Sequence, residues 1–97
     1  MDTEEQFNAM VDKVKEMLVP NDEEMMELYA LHKQATVGDN TTDEPSAWKA
    51  KAQWECWNKQ MGKSKETAQL EYIAFATILV GKYAVWNPVQ TLRSIFR

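Results

Sequence analysis

The feature that most constrains the fold is an uncharged run of nine residues, Tyr72-Ile-Ala-Phe-Ala-Thr-Ile-Leu-Val80. On a helical period one face of this segment collects Ala68, Tyr72, Phe75, Ala76, Leu79 and Tyr83. A helix that is apolar on every side is normally buried. The chain must therefore fold so that other segments cover this helix on more than one side.

Three earlier segments also repeat apolar residues at the helical period, so the sequence predicts an all-α fold. The first helix covers residues 3–17 and starts at a capping box formed by Thr3 and Gln6. The second covers 22–36 behind an Asn21 cap, and the fourth follows a Ser64 cap. The third covers 48–60 and ends at Gly62, with an apolar stripe made by Ala50, Trp54, Trp57 and Met61.

The chain has 97 residues, which is enough for one core and too few for two. We expect a helical bundle over residues 1–86 and a carboxyl-terminal extension over 87–97. The polar stretch between Gly38 and Pro45 is predicted to be a surface loop.

The extension itself has helical signals. Asn87-Pro88 resembles a cap followed by proline at the first helical position, and an apolar stripe follows at Val89, Leu92, Ile95 and Phe96. One hypothesis is a short fifth helix that folds back over the uncharged run. The alternatives are a homodimer contact or attachment to a membrane surface through residues 72–96. We otherwise expect a monomer.

Charge is distributed unevenly along the chain, whose net charge is −4. Residues 1–31 hold nine acidic residues and two lysines, whereas residues 32–65 hold four acidic residues and six lysines. No basic stripe suited to a phosphate backbone is present, so nucleic acid is not an expected partner. The single cysteine, the acidic start Met-Asp-Thr-Glu-Glu and the lack of a long apolar run together predict a cytoplasmic protein.

Catalytic signals are scarce. His32 and Cys56 are the only histidine and cysteine, and no third group is placed to orient them. A closed zinc site and a glycine-rich phosphate loop are likewise not indicated. We therefore expect a protein that is not an enzyme and that needs no cofactor or metal.

Groups suited to binding come from all four predicted helices. In an antiparallel bundle they could converge on a groove, where methionines would supply a pliable floor for an alkyl chain. Each of them also fits an ordinary role, the lysines as solvated charges, Tyr72 as a core aromatic and the methionines as packing. The candidate residues are Lys15, Met25, Met26, Tyr29, His32, Lys33, Lys49, Lys51 and Tyr72.

Three stretches carry a family resemblance. They are Tyr29-Ala-Leu-His-Lys-Gln-Ala-Thr-Val-Gly-Asp39, Lys49-Ala-Lys-Ala-Gln-Trp-Glu-Cys-Trp-Asn58 and Gly62-Lys-Ser-Lys-Glu-Thr-Ala-Gln-Leu-Glu-Tyr-Ile73. In order and spacing, over roughly residues 4–83, they resemble the acyl-CoA-binding protein family. The resemblance implies a four-helix up-down-down-up bundle that binds long-chain acyl-CoA esters and acts as a non-catalytic carrier and pool former.

The resemblance also implies roles for individual residues. Tyr29 and Lys33 are similar in position to residues that hold the 3′-phosphate of CoA. Tyr72 resembles a further contact to the nucleotide, and Lys15 resembles a contact from the first helix. The wall along the acyl chain would be made by Met25, Met26 and Leu28.

The sequence departs from the family pattern at two site positions. His32 stands where the family usually has a tyrosine that stacks on adenine, and Gln53 stands where it usually has a lysine. The loss of that cation predicts weaker binding than in a typical member, unless Lys49 or Lys51 replaces it.

Overall fold

The computed structural model describes residues 2–16 and 20–83, and these residues form four α-helices. The helices are α1 (Thr3–Val14), α2 (Asp22–Thr36), α3 (Trp48–Asn58) and α4 (Lys65–Lys82). The prediction of an all-α bundle is confirmed. The predicted fifth helix and the boundary at residues 86 and 87 lie outside the described residues.

Local capping chemistry sets the start of three helices. Asn21 accepts a hydrogen bond from the backbone N–H of Glu24 at 2.9 Å, and the Glu24 carboxylate accepts one from the Asn21 N–H at 3.2 Å. This reciprocal capping box fixes the first turn of α2. The Ser64 hydroxyl caps α4 by accepting from the Thr67 N–H at 3.1 Å. Both caps were predicted at these positions.

The predicted cap of α1 was wrong by one residue. The side chain of Asp2, not Thr3, accepts a hydrogen bond from the Glu5 N–H, at 2.8 Å. A carboxylate binds the exposed N–H groups of a first turn and also complements the positive end of the helix, so Asp2 is at least as good a cap as a threonine.

The predicted end of α3 was also too late. The last α-helical residue is Asn58, and the chain then tightens into i to i−3 hydrogen bonds from Gln60 to Trp57 and from Met61 to Asn58. Met61 consequently leaves the apolar stripe and is 56% exposed. Within that stripe only Trp57 is fully buried.

Contacts between helices give their directions. Glu24 at the start of α2 contacts Lys82 and Tyr83 at the end of α4, while Gln34 near the end of α2 bonds to Lys63 just before α4. These two helices are therefore antiparallel. The two helices α1 and α4 are parallel, because Phe7 lies against Tyr72 and the next turn of each helix pairs Met10 with Thr77.

One core joins α1, α2 and α4. Its buried members are Phe7, Leu28, Leu31, Ala35, Ala68, Tyr72, Ala76 and Leu79. The predicted inner faces of α2 and α4 are thus confirmed. The opposite side of α4 is different, because Leu70 is 50% exposed and Ile78 is 65% exposed. No described helix covers this outer side.

Candidate functional site

An aromatic cluster forms where α1, α2 and α4 meet. The His32 ring lies 5.8 Å from the Phe7 ring and 6.1 Å from the Tyr72 ring, and Phe7 and Tyr72 are edge to face at 5.0 Å. Phe7 and Tyr72 are buried, whereas His32 is half-buried. The histidine therefore presents a flat ring at the surface that two core aromatics support from behind.

Two lysines from different helices act on this histidine. Burial lowers the pKa of His32 below its usual 6.5, and the nearby charges of Lys33 and Lys15 lower the pKa further. The imidazole is therefore neutral at pH 7 and lies in a positive electrostatic field. Such a field attracts an anion, while the neutral ring can stack on a planar group.

Lys33 has a defined position. Its ammonium nitrogen lies 5.1 Å from the centre of the Trp57 ring, which is a cation–π contact between α2 and α3. Lys15 is more loosely held, because its ion pair with Asp12 is 3.8 Å long and both side chains are largely exposed. An ion pair of this kind contributes little to stability, so Lys15 can turn toward a ligand at small cost.

Tyr72 combines a core position with a polar group. Its burial raises the pKa of the phenol to about 12. The hydroxyl therefore keeps its proton throughout the physiological range and can act as a hydrogen-bond donor.

The end of the Lys-Gln-Ala-Thr-Val-Gly-Asp stretch has a structural role. The Gln34 amide is fully buried and donates to the Asp39 carboxylate at 2.9 Å and to the Lys63 carbonyl at 2.7 Å. Asp39 also accepts from the Gly62 N–H, which lowers the pKa of this carboxyl, and the Gly38 carbonyl accepts from the Trp57 indole at 2.8 Å. These bonds fix the loops at both ends of α3 against α2, and so hold Lys33 near Trp57.

The remaining predicted site residues are spread along α2 and α3. Lys51 pairs with Glu44 at 3.8 Å, and Lys49 is exposed. Leu28 is in the core, so it can support a wall for an acyl chain only from behind. On α2 the others are Met26 and Tyr29, both half-buried, and Met25, which is 43% exposed, while Gln53 on α3 is half-buried.

The sequence alone does not assign Phe7 or Trp48 to the site. Phe7 differs in no way from the other apolar residues of α1 at the sequence level, and only its contact with His32 identifies it. Trp48 is 81% exposed at the start of α3, beside Lys49. In the sequence, Trp48 lies outside the apolar stripe of α3, and a large aromatic residue on a polar helix face is unusual. That position could have marked Trp48 as a candidate binding residue.

A cleft of about 310 Å³ continues from the aromatic cluster. It shares Phe7 with that cluster and reaches the start of α4. Its lining among the described residues is Glu4, Phe7, Asn8, Ala35, Thr36, Lys65 and Gln69. The cleft is close in size to the smaller ligand pockets of proteins.

Two other kinds of feature are absent from the described residues. No group of three or more histidine, cysteine, aspartate or glutamate side chains among them could hold a metal ion. Within the same residues, no helix is both long and apolar enough to cross a membrane.

Comparisons with known proteins agree on one family. The family model described as Acyl CoA binding protein matches residues 4–76. An acyl-CoA-binding protein homolog of Drosophila melanogaster is 58% identical over 83 residues, which cover 82% of this chain and 96% of that protein. The acyl-CoA-binding protein of Saccharomyces cerevisiae is 48% identical over 67 residues, which cover 67% of this chain and 77% of that protein.

Solved structures give the same result. The crystal structure of Oryza sativa acyl-CoA-binding protein 2 has a TM-score of 0.79 at 34% identity and covers 84% of this chain and 93% of its own. The solution structure of the yeast acyl coenzyme A binding protein has a TM-score of 0.68 at 43% identity. The match covers 81% of this chain and 95% of the yeast chain. The predicted up-down-down-up arrangement of four helices is the fold of this chain.

Proposed function

This chain belongs to the acyl-CoA-binding protein family, and from that premise we propose that it binds long-chain acyl-CoA esters and acts as their intracellular carrier and pool former. One observation carries the proposal: a neutral aromatic ring, His32, lies in the combined field of Lys15 and Lys33 above the buried rings of Phe7 and Tyr72. A flat base with attached phosphates matches this arrangement in both shape and charge.

The nucleotide end of the ligand would be held by α1, α2 and α4. His32 would stack on the adenine, Lys15 and Lys33 would neutralise phosphate oxygens, and the protonated Tyr72 hydroxyl would donate a hydrogen bond. Tyr29, half-buried one turn before Lys33, supplies a second phenol for the same phosphates.

The acyl end would lie along α2 and α3. In the up-down-down-up arrangement these helices run the same way, so Met25 near the start of α2 and Trp48 at the start of α3 are at one end of the pair. Both are exposed apolar side chains. Burial of each methylene contributes about 0.8 kcal/mol, so affinity should rise with chain length until the ligand outgrows this surface.

The proposed role is binding without catalysis, in the cytoplasm and as a monomer. The family is one of binding proteins. Cys56 is half-buried on α3 and is free, which suits a reducing compartment. The sequence alone also allows two other functions, a helical protein-interaction module that uses the outer face of the fourth helix and a peripheral membrane protein that works through residues 72–96. Neither is favoured.

The test is a parallel calorimetric titration with palmitoyl-CoA, palmitate and CoA. Palmitoyl-CoA should bind far more tightly than either half, because only the ester fills both ends of the site. Lys33→Ala should weaken palmitoyl-CoA binding about tenfold or more through the loss of a charge-assisted contact. Lys59→Ala, which removes an exposed lysine after the end of α3, should leave the affinity unchanged.

Two results would contradict the proposal. Equal affinity for palmitate and palmitoyl-CoA would indicate a general lipid surface, since the nucleotide would then contribute nothing. If Lys33→Ala and Lys59→Ala weakened palmitoyl-CoA binding equally, the positive field at His32 would not be the nucleotide site.

A further inference from the structure

His32 is the one histidine in the chain, and its environment differs from that of an ordinary surface histidine. Its ring is half-buried and lies 5.8 Å from the Phe7 ring and 6.1 Å from the Tyr72 ring. Imidazole is the side chain whose charge ordinarily changes near neutral pH. Because burial raises the pKa of Tyr72 to about 12, His32 is the group in this aromatic cluster that can exchange a proton under physiological conditions.

The charged side chains that act on this ring are both cations. Lys33 follows it on α2 and Lys15 acts from α1, and after burial itself these two charges lower the pKa of His32. Among the described residues, no carboxylate bonds to the imidazole. The carboxylate of Asp12 faces Lys15 instead, at 3.8 Å. Protonation of the free protein would therefore add a third positive charge to two others.

Other titratable groups near the cluster do not change this balance. Tyr72, which packs against the ring from α4, is neutral. Glu4 of α1 and Lys65 of α4 line the cleft beyond Phe7, where their opposite charges offset each other. The field at the imidazole is therefore positive until a ligand brings negative charge.

We propose that His32 takes up a proton from solvent when the phosphates of the ligand bind, so that this histidine makes the affinity for acyl-CoA depend on pH, a coupling that rests on the function proposed above. Phosphates held by Lys15 and Lys33 replace the repulsion of an imidazolium by attraction. One opposite charge within about 4–6 Å shifts a pKa by about one to three units. Covering the ring acts the other way, but it removes less water from a half-buried ring than from an exposed one.

The pH effect has a definite direction. Binding raises the pKa of His32, so the complex holds more protons than the free protein at any pH between the two values. Affinity should therefore rise as the pH falls through the bound value, by up to about tenfold for each unit of pKa, and level off below the free value. The phosphate monoester of the ligand also gains a proton near pH 6, which weakens its attraction to lysines. A variant without the imidazole separates the two effects.

Nuclear magnetic resonance tests the coupling directly, because a single histidine gives one set of ring signals. The untagged full chain is titrated between pH 5 and pH 8, free and saturated with palmitoyl-CoA. The ring pKa should lie below its usual 6.5 in the free protein and rise by about one unit or more in the complex. Lys33→Ala should raise the pKa of the free protein, because it removes a repelling charge, whereas Lys59→Ala should leave it unchanged.

Calorimetry on His32→Tyr tests the consequence for affinity, since tyrosine keeps a ring that can stack but does not titrate in this range. From pH 7.5 to pH 5.5, the affinity of the parent for palmitoyl-CoA divided by that of the variant should increase about threefold to tenfold. A ring pKa that stays constant or falls in the complex, or an affinity ratio that does not change with pH, would overturn this coupling. The carrier function would then stand, because the ester still binds. Failure of palmitoyl-CoA to bind at all would overturn both.

Discussion

At the scale of single residues, the candidate site depends on where each positive charge is held. Lys33 is fixed over Trp57, whereas Lys51 faces Glu44 at 3.8 Å and Lys49 is exposed. Gln53 follows Lys51 and directly precedes Trp54 on α3, and its uncharged side chain is half-buried. We expect a cation at this position to lie nearer to the proposed phosphate site than either exposed lysine.

Gln53→Lys should therefore tighten palmitoyl-CoA binding by about tenfold, the lower end of what a charge-assisted contact provides. Isothermal titration calorimetry measures the change directly. Gln53→Met has a similar length without the charge, so it should give no such gain. If the lysine variant binds no more tightly than the methionine variant, the phosphates lie elsewhere.

Residue types and their approximate positions could be predicted from the sequence, but some of their partners could not. The capping residues Asn21 and Ser64 were predictable because capping is a local interaction. The pairing of Phe7 with His32 was not, because it joins two helices whose relative rotation depends on the whole core. Likewise, spacing alone could not show that Gln34 and Asp39 anchor two loops while their neighbour Lys33 lies at the site.

At the scale of elements, the junction after α2 depends on a backbone conformation that favours glycine. Gly38 has a φ of +95°, and a Cβ atom there would lie 3.4 Å from the Lys65 side chain. Its carbonyl also accepts the Trp57 indole hydrogen bond. Gly81, in contrast, lies within α4, where the backbone is helical and space is open.

The same substitution should therefore have opposite effects at the two glycines. Gly38→Ala should lower the free energy of unfolding by about 1–2 kcal/mol, because it forces an L residue into the left-handed region. Gly81→Ala should raise it by about 0.5–1 kcal/mol, because alanine restricts the unfolded chain and favours a helix interior. Urea unfolding followed by circular dichroism measures both changes. If the two substitutions changed the free energy of unfolding in the same direction, this account of the backbone would be wrong.

At the scale of the whole molecule, α2 and α4 are joined by polar contacts at both ends. At one end Gln34 and Asp39 bond to the loop before α4. At the other, Glu24 accepts hydrogen bonds from the Tyr83 hydroxyl and from Lys82, the latter at 3.0 Å. The hydrogen bond from Tyr83 and the contacts with Lys82 lower the pKa of Glu24. Hydrogen bonds from Gly62 and Gln34 lower the pKa of Asp39.

Both carboxylates should make folding sensitive to acid. A lowered pKa in the folded state stabilises the fold above the unfolded values of 4.5 for Glu24 and 3.8 for Asp39, and that contribution is lost as the pH falls through the lowered folded values. Tyr83→Phe should destabilise the protein at pH 7, and the difference from the parent should shrink once Glu24 is protonated.

Urea unfolding between pH 7 and pH 3 tests this prediction. Glu27→Gln, an exposed change on the same helix, should leave the free energy of unfolding nearly unchanged at pH 7. A difference between Tyr83→Phe and the parent that stays constant down to pH 3 would contradict the role given to Glu24.

The contact between Lys33 and Trp57 has an optical consequence. A positive charge above an indole shifts the energy of its excited state, and this indole also donates a hydrogen bond to the Gly38 carbonyl. A phosphate that draws the ammonium group away from the ring would change that electric field. With Trp48, Trp54 and Trp86 replaced by phenylalanine, Trp57 emission should therefore report the arriving nucleotide and distinguish ligands that reach Lys33 from lipids that touch only the far end of α2.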